Sequence, residues 1–185
     1  MLLLASPLSA RGVWLEVGLG PWLPMFGSYK SDHDPGLHGR MRLGYDGKFT
    51  IPSTAKTWFP PLALFQNVYP FAEAYYSSSR LKGAGYEGIL YAGIGGRVLH
   101  TTGVWGYGFQ MSLGVLYVSS VRQYKPAGFV GLYGMWDLKR LYLYAEYSVE
   151  TSVDLKSSYS VDTSLSFLQR ASGWHEVGVG LGIRW

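Results

Sequence analysis

The clearest periodicity in the chain lies between Trp105 and Val118. Trp105, Tyr107, Phe109, Met111, Leu113, Val115 and Tyr117 take seven successive alternate positions, with Gly106, Gly108, Gln110, Ser112, Gly114 and Leu116 between them. A period of two places neighbours on opposite faces of a β-strand. The apolar face is graded, with aromatic residues toward its ends and aliphatic ones in its middle. The closing stretch repeats the pattern. From His175 onward, Val177, Val179, Leu181, Ile183 and Trp185 share one face, and Glu176, Gly178, Gly180, Gly182 and Arg184 share the other. In a soluble sandwich the apolar face turns inward and charges meet water. A transmembrane barrel inverts this, with apolar residues toward lipid and small or polar residues toward a narrow lumen. One strand fits both, so recurrence along the chain decides.

The pattern recurs. Gly12 to Gly20 sets Val13, Leu15, Val17 and Leu19 against Trp14, Glu16, Gly18 and Gly20, and Pro21 and Pro24 then end the expected strand in a loop to Leu37. Arg40 to Gly47 opposes Met41, Leu43 and Tyr45 to Arg40, Arg42, Gly44 and Asp46. Asn67 to Tyr76 puts Phe71, Glu73 and Tyr75 together, and Tyr86 to Val98 puts Glu87, Tyr91, Gly93, Gly95 and Arg97 opposite Leu90, Ala92 and Ile94. Ala127 to Trp136 reads as a strand of mixed parity. Leu141 to Glu150 separates Leu141, Leu143, Ala145, Tyr147 and Val149 from Tyr142, Tyr144, Glu146, Ser148 and Glu150. The total is eight strands. Short connections such as 100–103 and 137–140 broadly alternate with long ones. The exception is 48–66, a proline-containing connection longer than a turn on that side ordinarily is.

Composition agrees with this pattern. The 185 residues suit one domain and include 15 Tyr, 7 Trp, 8 Phe and 25 Gly, with only 15% charged. Mean hydropathy is near neutral, and no apolar run reaches the ~20 residues of a membrane helix. A net charge of +4 without a Lys/Arg block disfavours nucleic acid as a partner. Cysteine is absent, which is compatible with an external compartment and decides little. Residues 1–10, MLLLASPLSA, read as the remnant of a secretory signal ending in small residues, which leaves 11–185 as one barrel domain.

These features together resemble the small eight-stranded outer-membrane barrels of the OmpA/OmpX kind: the leader, eight alternating segments, aromatic ends on the outward faces, and the final VGVGLGIRW. The resemblance implies an all-β, eight-stranded antiparallel up-and-down transmembrane barrel in the outer membrane of a diderm bacterium, with its N-terminus in the periplasm. It also implies outer-membrane lipid as surroundings and the barrel-assembly machinery as a partner reading the C-terminal strand. Barrels of this class serve as adhesins, anchors and lipid-modifying enzymes, so the fold leaves the activity open.

Parity directs Glu16, Arg40, Arg42, Glu73, Glu87, Arg97, Glu146, Glu176 and Arg184 into the lumen, and Trp105, Tyr107, Phe109, Tyr117 and Trp185 toward lipid. Lumen charges must pair, since an unpaired buried charge is costly. The expected pairs are Arg42 with Glu73 and Glu16 with Arg184. They read more readily as a structural plug than as an ion path. The segment Asp32 to His38 gathers two carboxylates and two imidazoles, but Asp34-Pro35-Gly36 is turn composition, so no metal or cofactor is expected. Outer-membrane lipid A deacylases use a His and a Ser near the membrane rim. Here His175 falls on the outward parity with Ser172 and Ser166 near it in sequence, the family's His-x-Ser signature is missing, and His100 sits in a turn. The outer loops carry a slight basic excess. The expected role is non-enzymatic, structural or surface-interacting. The alternatives are a lipid A-modifying hydrolase, a narrow low-conductance channel, and a soluble lipocalin-like binder with the faces exchanged.

Overall fold

The computed structural model describes residues 12–26, 33–47, 49–50, 53–58, 67–83, 85–119, 122–153 and 171–185. The leader, Asp32, Ser166 and much of the 48–66 and 151–171 connections lie outside the described residues. The strands are β1 (Val13–Phe26), β2 (Gly36–Tyr45), β3 (Phe49–Thr50), β4 (Asn67–Arg80), β5 (Tyr86–Thr102), β6 (Trp105–Val118), β7 (Gln123–Leu138), β8 (Leu141–Val153) and β9 (Ala171–Arg184), with one short helix, α1 (Ser53–Trp58). Each long strand pairs antiparallel with its neighbour in sequence, β9 pairs with β1, and β2 pairs with β4. The result is a closed, eight-stranded up-and-down barrel. The two-residue β3 lies outside the ring as an added rung on the start of β4.

Closure removes every long edge, and the alternation sets what each face carries. Leu113, Val179 and Leu181 point outward, 69%, 56% and 59% exposed, while Glu146 is buried in the lumen. Outward aromatic residues gather at both ends. Tyr45, Trp105, Tyr107, Trp136 and Trp185 lie at the end holding the termini, and Tyr76, Tyr86, Tyr117 and Tyr124 lie at the far end. The Trp105 and Trp136 rings stack at 6.0 Å, and Tyr117 meets Tyr124 at 5.0 Å. Phe109 is outward as well. Among the described residues, the outward strand positions carry one Lys, Arg, Asp or Glu: Arg80, at the far end of β4.

Several boundaries differ from the expectation. β1 does not stop at Gly20 but runs through Pro21 and Pro24 to Phe26. The β1–β9 ladder skips Gly20 and Pro21 and shifts register between Pro24 and Phe26, while β2 ends its pairing with β1 at Trp22. The prolines therefore occupy places where no ladder donor is needed. The hairpin after β5 turns at Gly103 and Val104, with Gly103 at φ 61°, so His100 is a strand residue, its ring tilted against Tyr107, and not part of the turn. β7 owes its mixed parity to an inner face that is itself apolar: Phe129, Tyr133 and Met135 are buried.

The glycine face of β9 has a packing reason. A Cβ on Gly182 would enter the Tyr142 ring, and one on Gly180 would meet Tyr144 at 2.6 Å. The register places Gly182 beside Tyr142 and Gly180 beside Tyr144, so each ring of β8 lies over a glycine of β9. Gly44 makes the same room for Trp14 on β1.

Candidate functional site

Among the described residues, the ionisable side chains concentrate in the lumen. Arg40 and Arg42 come from β2, Glu73 from β4, Arg97 from β5, Gln110 from β6, Tyr133 from β7, Glu146 and Glu150 from β8, Glu176 from β9 and Glu16 from β1. All are buried. The inward parity of each strand delivers them to one axis, and the barrel is narrow enough for opposite walls to touch.

Nearest the terminal end, Arg97 grips Glu16 with two parallel bonds, Nη1 to Oε1 at 2.6 Å and Nη2 to Oε2 at 2.7 Å. This fork is the strong geometry for a guanidinium and a carboxylate. Tyr133 and Tyr142 donate their hydroxyls to Glu16 Oε1 at 2.6 and 2.9 Å, and Arg42 reaches Oε2 at 3.4 Å. The Arg97 guanidinium also lies 3.6 Å over the Tyr133 ring and donates to Gln110 Oε1 from Nε and Nη2.

In the middle, Arg42 donates Nε to Glu73 at 3.0 Å and stands 2.7 Å from Glu146 through Nη1. Arg42 and Glu73 are directly opposed in the β2–β4 ladder, which is why sequence position alone paired them. Toward the far end, Arg40 donates Nη1 to Glu146 at 3.1 Å, and its Nη2 bonds both Glu150 and Glu176. Trp174 donates Nε1 to Glu176 at 3.1 Å. Three guanidinium groups thus meet five carboxylates, Glu16, Glu73, Glu146, Glu150 and Glu176.

The Glu16–Arg184 pair is not formed. Arg184 sits two residues below Glu16 across the closing seam, opposite Trp14, with the Tyr142 ring against its guanidinium at 4.6 Å. It bonds Asp137 at the end of β7, a strand residue and not part of the expected 137–140 turn, and lies 3.7 Å from Asp46. Arg184 is therefore a half-buried residue of the terminal mouth and no part of the central network. At this mouth the partial burial of Asp46 pushes its carboxyl above the usual range, against the opposing pull of Arg184. Glu87 also stands apart: it bonds His33 at the far end of the lumen.

Glu150, Gln110, Tyr133 and Tyr142 belong to the network although the pattern analysis gave them no role. Glu150 and Tyr142 carried the needed parity signal on β8, as Gln110 did on β6; Tyr133, on the strand of mixed parity, carried none. His33 and His38, expected in a turn, are both buried, and His38 Nε2 stands 3.9 Å from Glu176. His175 is outward, as its parity requires, and Ser172 is buried on the inner face of the same strand. The two lie on opposite sides of the sheet. Among the described residues, no three His, Cys, Asp or Glu side chains are grouped to hold a metal ion.

No protein-family model matches the chain, and no curated protein matches it in sequence. Among solved structures, the crystal structure of Neisserial surface protein A, an outer-membrane barrel, is similar, with a TM-score of 0.62 over 95% of this chain and 98% of that one at 11% identity. The two share the eight-stranded barrel. At this identity the likeness speaks for the fold alone.

Proposed function

We propose that this chain is an outer-membrane barrel of the small OmpA/OmpX-like kind, with a structural or surface-interaction role and no catalytic one. The observation that carries the reading is the near absence of charge from the outward strand face, set against the charges gathered inside. A face of Leu, Val, Ile and Met bounded by two aromatic belts suits a hydrocarbon layer between two headgroup zones. The terminal end would then face the periplasm and the far end the exterior. The terminal strand would present its Trp185 end to the barrel-assembly machinery. Neisserial surface protein A is by its name a surface protein, which supports the same location.

A lipid A hydrolase is less well supported, because Ser172 and His175 lie on opposite faces of β9. A channel is less well supported, because the ion pairs fill the lumen from wall to wall.

The test is folding into lipid vesicles, read by electrophoresis of boiled and unboiled samples. A closed barrel migrates differently from its boiled form. Leu113→Arg places a charge on the middle of the outward face and should cost about 2–4 kcal/mol of folding free energy in the bilayer. A mature chain that stays soluble and monomeric without detergent would falsify the reading.

A further inference from the structure

We propose that the outward pair His175 and Tyr147 forms a binding site for the phosphate of an outer-leaflet glycolipid headgroup. This rests on the membrane placement given above. Both residues sit on the outer face of adjacent strands, two positions apart across the β8–β9 ladder, where Val149 opposes His175 and Val177 opposes Tyr147. Their surroundings are Val149, Val177 and Leu23, the last opposing His175 from β1. Polar side chains that face lipid call for a chemical reason, since each costs free energy unless it finds a partner there.

The geometry supplies one partner and leaves one donor. Tyr147 Oη and His175 Nδ1 are 2.5 Å apart, and the two rings stack at 5.6 Å with an interplanar angle of 27°. With the tyrosine hydroxyl donating to Nδ1, the ring proton resides on Nε2, on the opposite edge of the imidazole. In that tautomer the bond orients a single N–H donor on the far edge of the ring.

The site lies on the far half of the barrel. β9 runs from His175 to the terminal belt at Trp185, so at ~3.3 Å per residue along a strand inclined by about 40° His175 stands roughly 25 Å above that belt. That is close to the height of the apolar band, and therefore to the exterior headgroup level. Just beyond His175 the next outward position is Gly173, paired with Thr151. Gly173 is itself buried, and Thr151 brings a hydroxyl donor to the same outward face. Glu146, Glu150 and Glu176 all turn to the lumen, so no carboxylate from these strands shares the face. An uncharged patch offering N–H and O–H donors, apolar below and at headgroup height, is suited to an anionic, oxygen-rich group attached to acyl chains. A lipid phosphate has that chemistry.

The test uses the intact barrel in detergent micelles and native mass spectrometry, with bisphosphorylated lipid A, the same lipid A dephosphorylated, and phosphatidylglycerol as probes. The expected result is a preference of about tenfold for the phosphorylated over the dephosphorylated lipid A, the scale of one charge-assisted hydrogen bond. His175→Ala should abolish the preference. Tyr147→Phe should reduce it, because the ring stack survives but the tautomer is no longer fixed. Both changes lie on the outer surface, and unboiled electrophoresis checks that the barrel is closed. A preference that persists in His175→Ala, or no preference in the parent, overturns the site while leaving the membrane reading intact. Equal binding of phosphatidylglycerol overturns the assignment to a glycolipid. Failure of the parent chain to form a barrel with any lipid overturns both.

Discussion

The two halves of the lumen solve the same problem differently. In the terminal half, Glu16 receives donors from Arg97, Arg42, Tyr133 and Tyr142, and its two oxygens are saturated. In the far half, Glu150 and Glu176 converge on one nitrogen of Arg40, and the buried hydroxyls of Ser77, Ser79, Ser148 and Ser152 have no hydrogen-bond partner among the protein groups. Tyr144 is the terminal-half residue that shares this condition. The contrast teaches that one half surrounds a single carboxylate with donors, whereas in the other two carboxylates share a single guanidinium.

That contrast can be broken most severely at Arg40. Arg40→Ala removes the guanidinium shared by Glu146, Glu150 and Glu176 and should cost about 3–5 kcal/mol, read as a lowered urea midpoint in vesicles. Glu16→Gln keeps the shape but leaves the Arg97 fork without its carboxylate. A loss of roughly 3 kcal/mol is expected, and a loss below ~1 would show that the terminal half is not held as described. Gly182→Val drives a side chain into the Tyr142 ring and should cost about 1–3 kcal/mol by overpacking. Glu150→Gln should be far milder, within about 1 kcal/mol, because Arg40 keeps Glu146 and Glu176 and a surplus carboxylate is gone. Ser148→Ala should be the smallest change, within about 0.5 kcal/mol, since no protein group loses a partner. Equal penalties for Ser148→Ala and Glu16→Gln would erase the distinction between the halves.

Much of the fold was legible because alternation survives in the residues themselves. β6 showed both of its faces, and β9 showed its glycines. β7 concealed its faces because Phe129, Tyr133 and Met135 are apolar inside a lumen expected to be polar. The extension of β1 was hidden because Pro21 and Pro24 ordinarily end a central strand, and only the interrupted ladder explains their presence. The pairing of Arg42 with Glu73 was readable since they oppose one another on adjacent strands. The true partner of Glu16 was not, because Arg97 arrives from across the barrel, 81 residues along the chain. Register between neighbours follows from pattern, but contact across an axis depends on diameter. The inward direction of His33 and His38 was illegible for a related reason: residues 33–38 have turn composition, and composition does not say which way a turn folds.

The glycine row of β9 has a consequence for the order in which this cylinder can form. Tyr142 and Tyr144 need a smooth wall to lie against, and Gly182 and Gly180 of β9 provide it together with Gly18 of β1. Tyr142 thus gains its seat from the β8–β9 pairing, whereas Tyr144 is fully seated only once β9 has also joined β1, which ties that part of the interior packing to closure of the cylinder.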